Sequence, residues 1–278
     1  MAARSAMRRS ARRAVKGAAA LSDRARPPGR GVVILAYHRV GRRSTLSVDL
    51  PAWLFAEEMA RLAAGPGVVA LDAALARLAT GAKPAALTDP VAVTFDDGTA
   101  DFVEVALPIL ALHRVPATLY VATDFVETGR SFPDSGSPTS WSALADALST
   151  GLVTIGSHTH THALLDRLPA AAVAGELDRS IGLIGERLGV DARHFAYPKA
   201  LAGSPAADRA VRARFASAAL AGTRANPYGR TDPHRLARSP VQVEDGLAYF
   251  ARKAAGGMRL EDELRRVAGR RRFAGATT

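Results

Sequence analysis

The stretch VAVTFDDG, residues 91–98, sets five apolar and β-branched residues directly before two adjacent carboxylates and a glycine. A short apolar run closed by a turn signal reads as a buried strand. If that strand is one of a parallel set, its C-terminal end is where an active site is built. Two neighbouring carboxylates at such a place are costly unless a cation or a shared proton relieves them. Aspartate also caps helices, so the pair by itself leaves both readings open, and the flanking sequence has to choose.

Working outward, GVVILAYH (31–38), ATLYVAT (117–123), VTIGS (153–157), HFAYP (194–198), ASAAL (216–220) and LARSPV (236–241) read as further strands, and a short VVAL follows the helix at 51–64. Helices fall between them. Residues 51–64 carry Pro51 in the first turn, where its missing N–H costs little. ALARLAT stops at Gly81, 101–113 is helical, and Ser140 caps SWSALADALST. Over 169–188, Val173, Leu177, Ile181, Ile184 and Leu188 form one apolar stripe. A last helix is expected near 205–215. Seven or eight strands alternating with helices imply an α/β fold with a helix-covered parallel sheet, either closed as a barrel or doubly wound.

The 278 residues suffice for one large α/β domain. There is no cysteine, which excludes disulfides and thiolate metal sites, so a metal would need histidine and carboxylate. No apolar run approaches the roughly 20 residues of a membrane span. The net charge of +11 is concentrated at the ends: residues 1–30 hold nine Lys/Arg against one acid, and 251–278 hold eight against three. The organisation expected is a basic N-terminal tail (1–30), a catalytic body (31–250) and a basic C-terminal helix or tail (251–278). Such tails suit peripheral contact with an acidic membrane, or simply fray in solvent; the near-neutral body argues against nucleic acid. The N-terminus lacks the apolar core of a signal peptide, so a place in the cytoplasm or on the cytoplasmic face of the membrane is expected.

GSHTHTH (156–162) follows the VTIGS strand and sets His158, His160 and His162 at alternate positions. A strand would turn all three to one face, whereas a helical turn would pair His158 with His162. Histidines with a carboxylate at strand ends match a catalytic metal site with an open position. His38 closes the first strand, although a lone histidine is more often structural. FAYPKA offers a proline-stiffened turn with a backbone N–H at Lys199. Trp141 reads as helix packing rather than as a sugar platform.

TFDDG (94–98), GSHTHTHALL (156–165), FAYP (195–198), AYHRV and RLARSPV together resemble the polysaccharide deacetylases, the NodB-type carbohydrate esterase family 4, over roughly residues 31–250. The resemblance implies a distorted (β/α) barrel of about seven strands. It makes Asp96 the catalytic base, and Asp97, His158 and His162 the ligands of one divalent metal ion, zinc first among the candidates. It gives Thr159 and Tyr197 supporting places, leaves His160 as a variable neighbour, and makes the Lys199 amide an oxyanion donor. In the branch with an N-terminal Y-H strand the early histidine is the acid, which moves His38 into that role. Two departures stand out. The third motif commonly begins with Arg and ends with Gly, and here Ala196 and Ala200 occupy those positions. The arginine that orients the base is therefore missing, and Arg193 is one candidate to replace it.

The function so implied is hydrolytic removal of N-acetyl groups from an N-acetylated glycan, one containing N-acetylglucosamine, with release of acetate. Two alternatives stand beside it: a metal-dependent amidohydrolase acting on a non-sugar amide, since a scaffold does not fix its substrate, and a catalytically impaired binding protein with basic tails.

Overall fold

The computed structural model describes residues 2–65, 67–81, 88–133 and 136–264. Its strands are β1 (Val33–Tyr37), β2 (Arg39–Val40), β3 (Asp49–Leu50), β4 (Val91–Phe95), β5 (Ala117–Val121), β6 (Val153–Ser157), β7 (His194–Ala196), β8 (Ser217–Ala221) and β9 (Leu236–Pro240). Seven of them, β1 and β4 to β9, close into an all-parallel barrel, with β9 returning to β1 through Leu35–Ser239 and Ala36–Pro240. Barrel closure replaces the open doubly wound alternative. The β2–β3 pair is a small separate ladder beyond the end of β1.

The helices are α1 (Ala2–Ala25), α2 (Ala52–Ala63), α3 (Leu71–Thr80), α4 (Leu107–His113), α5 (Thr123–Thr128), α6 (Trp141–Ser149), α7 (Ala170–Leu188), α8 (Pro205–Arg214) and α9 (Gly246–Ala254). A π-helical turn, Phe102–Ala106, leads into α4. Ser140 caps α6 by accepting from the Ala143 N–H, and Gly81 ends α3 in the left-handed conformation that glycine adopts without Cβ strain.

Side chains alternate across each barrel strand. One set packs outward against the helices, with Val33, Leu35, Val93, Leu119, Ile155 and Phe195 in the main core. The inward set includes Ile34, Ala92, Tyr120, Ala196, Ala219 and Leu236, which form one cluster with Leu71, Ala74 and Leu78 of α3. Helix α3 therefore plugs the N-terminal end of the barrel, and the opposite end is left for chemistry. The interior is tight: a Cβ on Gly156 would lie 2.7 Å from the His194 carbonyl oxygen and 2.8 Å from the Tyr120 ring.

The N-terminal segment differs from the solvated tail expected of it. It is helical, and Lys16 is fully buried where its ammonium meets Asp245 and Glu261. Lys253 joins the same two carboxylates. Two buried cations against two buried acids hold α1 on α9 and the segment after β9. Of the segment read as a C-terminal basic tail, residues 265–278 lie outside the described residues. Among the described residues, no helix is long and apolar enough to cross a membrane.

Candidate active site

The C-terminal strand ends bring together most of the residues singled out from the sequence. Asp96 and Asp97 follow β4, His158 follows β6, and His38 follows β1. They line a cleft of about 380 Å³ together with His162, Lys199, Arg238 and Gln242.

Asp97, His158 and His162 each offer a ligand atom, all within 4.8 Å of one another, a grouping that could hold a metal ion. His158 Nε2 and His162 Nε2 lie 3.6 and 3.4 Å from Asp97 Oδ1. The tautomer of His158 is set by its other nitrogen: Nδ1 lies 2.8 Å from the Ala196 carbonyl oxygen, to which it donates, leaving the Nε2 lone pair toward the cluster. Burial holds the His158 imidazole neutral, with its pKa lowered to about 4. For Asp97 burial acts upward, but a hydrogen bond from His162 and the neighbouring histidines outweigh it and drive the carboxyl well below its usual range. A neutral imidazole and an ionised carboxylate are the protonation states that metal ligands need, so the donor set fits a divalent ion.

The backbone at this end is unusual. Asp97 (φ 76°), Thr159 (φ 66°), His162 (φ 63°), Lys199 (φ 54°) and Ala200 (φ 55°) are all left-handed, a region costly for residues with a Cβ and most of all for a branched one. Hydrogen bonds hold the histidine loop in this form. The Thr159 hydroxyl accepts from the Ala163 N–H at 3.1 Å. Glu176 of α7 accepts from the His160 and Thr161 N–H groups at 3.0 and 2.9 Å, and from the Thr161 hydroxyl at 2.8 Å. His160 turns away from the cluster: its Nδ1 lies 3.0 Å from the Thr123 hydroxyl and its Nε2 3.9 Å from Asp124, both on α5.

Asp96 is 5% exposed and is gripped by Arg238, whose Nη1 and Nη2 donate to Oδ1 and Oδ2 at 2.5 and 2.8 Å. Burial alone would raise the Asp96 pKa; Arg238, with His158 and His38, reverses that and holds it below the usual carboxylate value. Arg238 reaches Asp96 from β9 through the barrel interior, its guanidinium 5.1 Å from the centre of the Tyr120 ring and donating also to Thr94. Ala196, where an arginine was expected, contributes only a methyl group inside and a carbonyl to His158. Arg193 does not replace the missing arginine, because its exposed guanidinium pairs with Asp72 near the other end of the barrel.

His38 is 30% exposed, with Nε2 3.8 Å from Asp96 Oδ2. Its Nδ1 is buried and makes no hydrogen bond among the described residues. The chain that follows is fixed when the Val40 N–H donates to Asp101, three residues beyond the DDG glycine, at 2.6 Å. Tyr197 does not enter the cleft. Its hydroxyl donates to Asp208 of α8 at 3.3 Å, so what it supplies to the turn is backbone. The Trp141 indole N–H donates to Glu127 at 2.7 Å, in keeping with a packing role.

Sequence reasoning missed Arg238 and Glu176. Arg238 stands in the RLARSPV segment that carries part of the resemblance, and that membership was the one signal available. Glu176 had none, since it sits on the polar face of an ordinary amphipathic helix.

Comparison with known proteins agrees with the fold. Residues 84–217 match the family model for polysaccharide deacetylase. IcaB from Ammonifex degensii is 26% identical, with 82% of this chain and 99% of that chain covered and a TM-score of 0.69. The Streptococcus pyogenes deacetylase PplD, solved in complex with acetate, shares the fold at 20% identity, with coverage of 81% and 98% and a TM-score of 0.70. A de-N-acetylase from Aggregatibacter actinomycetemcomitans shares it at 19% identity, with coverage of 81% and 100% and a TM-score of 0.68. No curated protein sequence gives a significant match. The family match and these solved relatives make the protein a hydrolase of carbon–nitrogen bonds other than peptide bonds. Residues 84–217, just under half of the chain, are thus similar to the polysaccharide deacetylase family, and the fold match extends over 82% of the chain.

Proposed function

We propose that the protein removes N-acetyl groups from an N-acetylglucosamine-containing glycan, using one divalent metal ion, zinc by preference, bound by Asp97, His158 and His162. The observation that carries this reading is the adjacency of two differently held carboxylates. Asp97 faces the histidine pair, while its neighbour Asp96 is turned to Arg238 and the open cleft. A bound divalent ion would polarise water and the acetyl carbonyl and offset the negative charge that develops on attack.

The side chains divide the proton work. Asp96, ionised and fixed in direction by its two bonds to Arg238, takes the proton of the attacking water. The Lys199 N–H, presented by a left-handed turn at the cleft wall, donates to the developing oxyanion. His38, across the cleft from the metal ligands, gives a proton to the departing nitrogen, which would otherwise leave as a poor anion. Thr159 and Glu176 hold the ligand loop in its strained form.

The test is acetate release from N-acetylglucosamine oligomers and from simple acyl amides, with chelation and add-back of individual metals. Chelator-sensitive turnover restored by zinc, on sugars and not on simple amides, is the expected result. Equal turnover of simple amides would make the protein a general amidohydrolase; no turnover with metal bound would leave a binding protein.

A further inference from the structure

Lys199 has a side chain that the deacetylation chemistry above does not use, since that reading calls only on its amide. It lines the cleft and is exposed, so it stands at the mouth. It makes no ion pair or hydrogen bond through its ammonium among the described residues. Two successive left-handed residues, Lys199 and Ala200, lift it out of the strand-end turn. Backbone strain of this kind is retained where the surrounding structure has a use for the conformation.

The charges around it leave that ammonium unopposed. Of the acids lining the cleft, Asp96 is neutralised by the bidentate Arg238 and Asp97 is committed to the two histidines. The rest of the lining, His38 apart, is apolar or uncharged, with Val48, Leu220, Pro240 and Gln242 among it. With a divalent ion in place the cleft is net positive, and the only fixed cation at its mouth is Lys199 among the described lining residues. A field of that sign attracts an anionic substrate and strengthens as the walls exclude water.

We propose that Lys199 selects N-acetylated glycans carrying an anionic substituent, a carboxylate or a phosphate, close to the acetamide that is hydrolysed. The inference rests on the deacetylase reading and adds a charge to its substrate. A single ammonium–anion contact in a half-open cleft is worth about tenfold in kcat/KM, entering through KM, and is weakened by salt.

The experiment uses the metal-loaded protein and three trimers of N-acetylglucosamine: neutral, bearing one carboxylate, and bearing one phosphate. Acetate release is followed at low and high ionic strength for the wild type and for Lys199→Gln, Lys199→Glu and Lys199→Arg. At low salt, an anionic trimer should exceed the neutral one by about tenfold in kcat/KM, the gap narrowing at high salt. The better of the two anions identifies the substituent. The preference should fall to about one in Lys199→Gln, invert in Lys199→Glu and survive in Lys199→Arg. Equal kcat/KM on all three trimers, with acetate released, overturns the inference and leaves the deacetylase reading standing, as does a preference unchanged in Lys199→Glu. Acetate from none of the trimers overturns both. Should Lys199→Glu lose activity altogether, Lys199→Gln decides: a preference that falls to about one supports the inference, and one that persists overturns it.

Discussion

At the C-terminal end of the barrel, Asp97, His158 and His162 face one another around a cleft. At the N-terminal end, Asp72, His194 and Ser217 also form a carboxylate–imidazole–hydroxyl group: His194 Nδ1 lies 2.9 Å from the Ser217 hydroxyl and Nε2 3.4 Å from Asp72. By residue type the second set looks more like a hydrolase, since a serine, a histidine and an aspartate in line is the arrangement of a nucleophilic triad. Its surroundings say otherwise. Ser217 and His194 are fully buried, neighbours in the β7–β8 ladder beneath α3. The upper set has left-handed backbone, two rings fixed with nitrogens toward a shared point, and space in front of them. Accessibility separates a site from a buried polar cluster, and residue identity does not.

The largest test of that contrast lies at Asp96. Asp96→Asn keeps the shape and the contact with one guanidinium nitrogen but cannot accept a proton from water. Acetate release should fall by about 10²–10⁴-fold while the bound metal, measured by elemental analysis, stays near the wild-type level. Retention of most of the activity would remove the base from Asp96.

Next in size is loss of metal. His158→Ala and His162→Ala should each abolish stoichiometric binding, and with it turnover. His160→Ala should keep the metal, because that ring is spent on Thr123 and Asp124 of α5. Glu176→Ala should fall between them, weakening metal affinity by about 10–100-fold, as changes to groups that orient ligands commonly do. Metal loss in His160→Ala would restore a three-histidine site.

Arg238 gives a smaller effect with a distinctive sign. Its pairing holds the Asp96 pKa down against burial. Arg238→Met therefore lets burial raise it, and the acid limb of the kcat/KM profile should move to higher pH. The same linkage acts on stability. In the wild type Asp96 contributes stability above the unfolded carboxylate pKa of about 3.9, and loses it as pH falls toward the folded value. In the variant an unpaired buried carboxylate costs about 3–5 kcal/mol at neutral pH, and the deficit should shrink on acidification as Asp96 takes up a proton. An acid limb that does not move would mean that another group sets the state of the base.

Much of this was legible in the sequence. VAVTF occupies the predicted residues of β4 without a shift, because an unbroken apolar run between Pro90 and Asp96 has one reading in a parallel sheet. The strand-end position of the DDG and HTHTH motifs followed from the same pattern. What was hidden depends on contacts across the chain. Arg238 meets Asp96 over 142 residues of separation, and nothing local in LARSP distinguishes an inward arginine from a surface one. Helix α1 was read as a tail because its charge was counted without Asp245 and Glu261, the partners that bury Lys16. Helix α5 has no counterpart in the sequence reading, which ends a strand at Thr123, because Thr123–Thr128 is too short to show a period.

The smallest effect is expected at the closed end. Ser217→Ala removes one buried hydrogen bond and leaves His194 Nδ1 without that partner, at a cost of about 1–3 kcal/mol. The midpoint of urea unfolding should drop accordingly. The barrel strands β7 and β8 keep their backbone pairing, and the variant changes no group at the C-terminal end, so acetate release should stay within about twofold of the wild type under conditions where the variant is folded. Burial already neutralises His194 by lowering its pKa, with Asp72 acting in opposition, and a neutral imidazole shielded from water has no substrate proton to move. A large loss of turnover in Ser217→Ala, with the protein still folded, would show that the two ends of the barrel are coupled. It would also remove the ground for treating the lower cluster as packing alone.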